Sequence, residues 1–221
     1  YPNAKGSRQA ARIALAAWQQ LAQRSEGAAA DAARKQAVGL AAIMMQTWPA
    51  AAETADAAAV AIAAAATAHD GNAIAELLAA ISASPRRAEI LLRGGSALWR
   101  EVQQARRLAP DDRPAEATLS AWKTTATQAL DDGLAAFGNL TTLPAPPLGP
   151  LVAAGAIARG QIALDAGDPA GALAILQQPV YGPWTLAGGP QPVLASGSVA
   201  EAALTLSLLA FIQSDDFNRA Q

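Results

Sequence analysis

The chain has 221 residues, 52% of them hydrophobic, with sixteen Lys or Arg against eighteen Asp or Glu and a formal net charge of −2. That balance supplies no overall attraction to nucleic acid or to an anionic membrane surface, and the absence of cysteine excludes disulfides and thiolate metal sites. Much of the apolar content is alanine, which forms helices well but buries little area, so closely paired helices are expected rather than a thick core; with no sustained alternation of period two, the chain reads as all-α.

Over residues 7–23, Ala11, Ala14, Leu15, Trp18 and Leu21 recur at helical spacing, while Arg8, Gln9, Arg12 and Gln19 occupy much of the remainder. After a break at residues 25–27, Ala33, Ala37, Leu40, Ala41 and Met44 repeat the pattern until Trp48 and Pro49 stop it, which gives a first antiparallel pair. An alanine-rich helix over about 51–68, the turn residues His69, Asp70, Gly71 and Asn72, and a short helix bearing Ile74, Leu77, Leu78 and Ile81 come next. Ser84 and Pro85 then open a long helix to about Leu108. Its Gly94 and Gly95 together cost about 2 kcal/mol relative to alanine if exposed, so the pair predicts close backbone packing at a helix crossing.

Pro110, Asp111 and Asp112 connect to a helix over about 114–137, with Pro114 in its first turn and Leu119, Trp122, Ala126, Leu130 and Phe137 as its stripe. An antiparallel arrangement of these two long helices sets Arg86 and Arg87 level with Asp131 and Asp132, predicting charge pairs worth at most ~1 kcal/mol if exposed. Residues 139–150 hold four prolines and little periodicity, a stiff connector between hairpins of residues 1–138 and a C-terminal part of residues 151–221.

Residues 159–179 spell out a complete helical hairpin. Ile162 and Leu164 lie on the first helix, which tolerates Gly160 where another helix crosses closely; Gly167 and Asp168 make the turn. Asp168 can cap, Pro169 suits a first helical turn, and Ala172 and Leu176 fall four apart on one face of the second helix. Residues 179–197 read as irregular, with Tyr181 and Trp184 among Pro and Gly; these aromatics are expected to pack over helix ends, with docking of a partner as the alternative. A last helix over about 198–213 is apolar on nearly every side between Ala202 and Ile212 and has to be covered by something.

The hairpin resembles the tetratricopeptide repeat. Gly160 stands as the small residue of the first helix, Gly167 and Asp168 as the turn, Ala172 as the small contact and Leu176 as the large apolar contact of the second; Ala163 and Pro179 depart from the family, which has an aromatic and a small helical residue there. Residues 214–220 resemble the start of a further repeat, with Ala220 four after Asp216 as Ala172 is four after Asp168. From Pro49 to Pro85, Pro114 and Pro150 the intervals are 36, 29 and 36, in the range of solenoid repeats. Tyr1-Pro2-Asn3 echoes the Trp48-Pro49 break, and with residues 98–102 and 178–186 the chain is similar to large bacterial tetratricopeptide arrays, particularly envelope-associated ones of planctomycete type. The resemblance implies an α-solenoid of antiparallel hairpins with about eight or nine helices. It also implies a continuation into a longer chain, a periplasmic or cell-envelope setting, no cofactor, and partners that are other protein segments or neighbouring copies.

No constellation for catalysis or metal binding stands in the chain. His69 is the only histidine and lies in a polar turn, no serine has a Gly-x-Ser-x-Gly setting, and Gly94-Gly95 and Gly188-Gly189 match neither a phosphate loop nor a dinucleotide fingerprint. Asp111-Asp112, Asp131-Asp132 and Asp215-Asp216 are adjacent pairs whose side chains diverge by about 100° on a helix and share no proton. The apolar runs at 57–66 and 202–212 fall short of the ~20 residues that span a bilayer, so no transmembrane segment is expected. One polar feature remains. Arg86, Arg93, Arg100 and Arg107 recur every seven residues and drift only ~20° per step, a basic stripe thickened by Arg87, Arg106 and Arg113. Such a stripe suits a carboxylate-rich peptide or an anionic polymer; the alternative is a solvated face paired to Glu89, Glu101 and nearby aspartates. Arg86, Arg93, Arg100, Arg107, Tyr181 and Trp184 are therefore the candidate partner-binding residues. The function expected is a non-catalytic protein–protein interaction or scaffold module, or alternatively a substrate- or polymer-binding segment of a larger envelope enzyme or assembly with its chemistry elsewhere.

Overall fold

The computed structural model of the protein describes residues 6–81, 86–138, 148–187 and 198–214. Among these residues the regular structure is all helical, with no strand. In chain order, α1 (Ser7–Arg24) and α2 (Gly27–Thr47) are followed by α3 (Ala52–Thr67), α4 (Gly71–Ala79) and the long α5 (Arg87–Ala105). A single 3₁₀ turn (Pro110–Asp112) leads to α6 (Glu116–Gly138); then come α7 (Leu148–Asp165), α8 (Pro169–Leu176), the short α9 (Pro183–Ala187) and α10 (Ser198–Gln213).

The helix ends follow from local chemistry. Asp70 accepts the Ala73 N–H at 3.0 Å and caps α4, and Asp168 accepts the Gly171 N–H at 2.8 Å and caps α8, where Pro169 occupies the first turn. Gly167 makes the preceding turn at φ +73°, a conformation that costs a residue with a Cβ about 1–2 kcal/mol. Thr54, buried at the start of α3, donates to the Trp48 carbonyl at 2.7 Å and ties α3 to the end of α2.

Helices pack against near neighbours in sequence. α1 meets α2 and α3, α3 meets α4 and α5, α5 meets α6 and α7, and α7 meets α8, α9 and α10. α5 packs against α3, α4, α6 and α7 and buries Ile90, Leu91, Leu92, Leu98, Trp99 and Val102 among others. Gly94 and Gly95 let two of these helices approach it closely. A Cβ on Gly94 would lie 2.6 Å from Leu78 Cδ2, and one on Gly95 would lie 2.9 Å from Leu130 Cγ and 3.2 Å from the Ala126 carbonyl oxygen, so the pair serves α4 on one side and α6 on the other. One buried cluster runs from Leu15 in α1 to Ile162 in α7; a second joins Leu164, Ala172 and Leu176 to Leu206 and Ala210 of α10.

Several expectations need correction. α7 begins at Leu148, so the last residues of the proline-rich stretch are already helical. The irregular segment 179–197 contains α9, whose five residues are too few to show a period. Gly160 marks no tight crossing: a Cβ there would sit 3.5 Å from Leu176 Cδ2, an ordinary contact with the partner helix of its own hairpin. The remaining connector (139–147), the 188–197 stretch, the repeat-like turn at 215–221 and the Tyr1-Pro2-Asn3 break lie outside the described residues.

Candidate groove across three helices

Along one side of the protein, α3, α5 and α7 lie side by side and leave a groove of about 740 Å³ between them. Its walls are small and apolar: Ala59, Ile62, Ala63 and Ala66 from α3, and Leu151, Ala154, Ile157 and Ala158 from α7. Its floor is α5, where Arg86, just before the helix, is followed by Glu89, Arg93, Ser96, Arg100 and Gln103. These positions alternate steps of three and four residues, the spacing that keeps one narrow face of a helix aligned along its length. The seven-residue period of the arginines was legible in the sequence; Ser96 and Gln103 complete the same pattern and are the signal that reading missed.

The basic stripe is shorter than its spacing suggests. The helix ends at Ala105, so Arg107 falls in the following turn and does not line the groove. Arg87, Arg106 and Arg113 do not thicken it either: Arg87 reaches Asp132 of α6 at 3.3 Å, Arg106 reaches Asp165 at 2.6 Å, and Arg113 donates to the carbonyls of Arg106 and Leu108 at 2.9 and 3.2 Å. The predicted meeting of Arg86 and Arg87 with Asp131 and Asp132 therefore holds for Arg87 alone. Arg86 instead bonds Glu89 at 2.8 and 2.9 Å and pairs with Asp56 of α3, and Asp131 is taken by Arg159 of α7 at 2.7 Å.

Within the groove, Glu89 is shared. Hydrogen bonds from Arg86, then the charges of Arg86 and Arg93, hold its carboxyl below the ordinary carboxylate range against the opposing effect of burial, and the bond to Glu89 raises Arg86 in turn. Arg93 lies 3.2 Å from the same carboxylate. Arg100 is different: exposed on the groove floor, it has no ion pair or hydrogen bond among the described residues. Beside it, Trp99 is buried and donates its indole N–H to Gln161 Oε1 of α7 at 2.9 Å, and Gln103 approaches the same oxygen at 3.4 Å. The hydroxyl of Ser96 is enclosed without a hydrogen-bond partner among the described residues.

Glu101, offered as a partner for the stripe, points elsewhere. It is buried, and His69 of the α3–α4 turn, itself exposed and held in the turn at φ 55°, stands 3.3 Å away. Tyr181 and Trp184 are both half-buried and are not part of the groove. Tyr181 packs on the main cluster, and burial followed by the charge of Asp131 raises its phenol above the ordinary value against the pull of Arg159. Trp184 leans on Phe211 of α10 with ring centroids 6.3 Å apart and planes tilted by 58°, its indole N–H enclosed without a partner among the described residues. Packing over neighbouring helices accounts for both. On the far side of α10, Leu204, Leu208, Leu209 and Ile212 remain 43–59% exposed among the described residues.

No group of three or more metal-ligating side chains occurs among the described residues, and no helix there is long and apolar enough to cross a membrane. No protein-family model matches the chain, and no curated protein or solved structure matches it.

Proposed function

We propose that the protein is a non-catalytic interaction module, an α-solenoid of antiparallel hairpins of tetratricopeptide type that uses the α3–α5–α7 groove to hold a segment of another protein. One observation carries this reading: the first helices of three successive hairpins stand side by side and leave a continuous groove, with small side chains on both walls and a polar floor. Packing restricted to near neighbours in sequence supports the solenoid, because a stack of repeats buries its core from one unit to the next. The turn chemistry at Gly167 and Asp168 and full burial of Ala172 and Leu176 support the repeat resemblance.

The experiment is selection from a displayed library of random peptides, run in parallel on the protein and on the variants Ala154→Trp and Ala63→Trp. Both alanines are exposed on the groove walls, so the indoles fill the groove without entering the core. Peptides enriched by the protein and lost with either variant support the reading. No enrichment, or enrichment indifferent to both variants, overturns it.

A further inference from the structure

Resting on the interaction reading, we propose that the occupant of the groove is an acidic α-helix of another protein, lying along α5 with carboxylates seven residues apart that meet the arginine row and end on Arg100. The charge comes first. Three arginines face one glutamate in the groove, an excess of two positive charges, and counting the adjoining Asp56 with its second partner Arg12 leaves the same excess. Glu89 is already divided between Arg86 and Arg93, so Arg100 is the guanidinium that gains most from a carboxylate, beside the enclosed and unpartnered hydroxyl of Ser96.

The spacing then selects the conformation. The polar positions of α5 follow the three-and-four step by which one helix lies against another along its whole length, and a parallel or antiparallel helix repeats its own groups at the same seven-residue interval, about 10.5 Å. The alanine walls let its backbone approach closely, and its apolar residues rest on Ile62, Leu151 and Ile157. Nucleic acid fits less well: an excess of two charges neutralises few phosphates, the chain is net negative, and the groove offers apolar walls that a phosphate backbone does not use.

The test is fluorescence anisotropy with a labelled helical peptide about six turns long, bearing glutamate at every seventh position with leucine flanking it on the same face. The comparison probes are its glutamine counterpart, a proline-rich peptide with glutamate at every third position, and oligodeoxythymidine. The glutamate helix is expected to bind more tightly than all three, to weaken as salt rises, and to lose about tenfold in affinity with Arg100→Gln and nothing with Arg107→Gln, whose side chain is outside the groove. Equal binding of the glutamine helix, equal effects of the two arginine variants, or preference for the proline-rich peptide or the oligonucleotide would each overturn the proposal. Neutral peptides enriched in the library selection and lost with Ala154→Trp would overturn the acidic helix while leaving the interaction module standing.

Discussion

Leu92 offers a sharp test of how the helices are held together. Its side chain is fully buried on α5 and lies between two glycines: a Cβ on Gly155 of α7 would stand 2.7 Å from its Cδ2, and one on Gly133 of α6 would stand 2.9 Å from its Cγ. Gly155→Ala alone forces Leu92 against the Gly133 side; overpacking of this kind costs roughly 1–3 kcal/mol, offset by ~1 kcal/mol from replacing glycine in a helix. The expected net is a loss of up to about 2 kcal/mol. Leu92→Ala alone leaves a cavity and costs roughly 2–5 kcal/mol. In the Leu92→Ala background the obstacle is gone, because the nearest retained atom, Leu92 Cβ, is 3.7 Å from the new methyl. Gly155→Ala then turns stabilising by about 1 kcal/mol. Urea unfolding of the four proteins, followed by circular dichroism, yields a coupling of about 1–3 kcal/mol. Effects that add to within ~0.5 kcal/mol would show that the two helices do not meet through this side chain.

Replacing His69 with Asn, which tolerates the left-handed backbone at φ 55°, strips buried Glu101 of its exposed neighbour and is expected to cost up to about 1 kcal/mol; an unchanged thermal midpoint counts against that pairing. Asp168→Ala removes the cap of α8 and is expected to cost about 1 kcal/mol in the same measurement, with no loss ruling out the cap as a contributor. The acid limb of stability follows from two carboxylates. Glu89 is lowered by Arg86 and Arg93; at Asp165, burial pushes upward but hydrogen bonds from Arg106 and Lys123 and their charges lower it. Because these folded values lie below the unfolded ones, their contribution is complete above the ordinary carboxylate range near pH ~4 and is lost as pH falls through the lowered values. A Glu89→Gln/Asp165→Asn variant should therefore unfold with a shallower dependence on pH below about 4, and a slope equal to that of the parent would refute the assignment.

Local signals carried most of the helix positions. Capping residues, prolines at helix starts and Gly167 at the turn act within a few residues of themselves, and the ends of α4, α8 and α10 fall close to where those residues placed them. The short α9 escaped the pattern because five residues make little more than one turn. At the groove, the row of Arg86, Arg93 and Arg100 was readable from its period, whereas Arg107 was misplaced because the helix stops at Ala105. The partner of Arg87 was readable, since it meets Asp132 as the antiparallel pairing predicts, but those of Arg86 and Asp131 were not. Arg86 turns to Asp56 because α3 runs beside it, and Asp131 turns to Arg159 because α7 does, and both depend on packing across tens of residues of chain. The alanine walls were equally hidden, since the same residue type forms the buried seams of α2 and α3.

The way α5 is enclosed separates the positions that hold the fold from those that face the groove. With α3, α4, α6 and α7 packed around it, most of its faces are committed to the core, and a substitution at Leu92 or Leu98 endangers the whole molecule. The strip left over is the one that carries Arg93 and Arg100 and opens to the groove. Under the proposed interaction reading, binding and folding thus depend on separate sets of positions along one helix, and substitutions that change the charge of the strip leave the scaffold behind it intact.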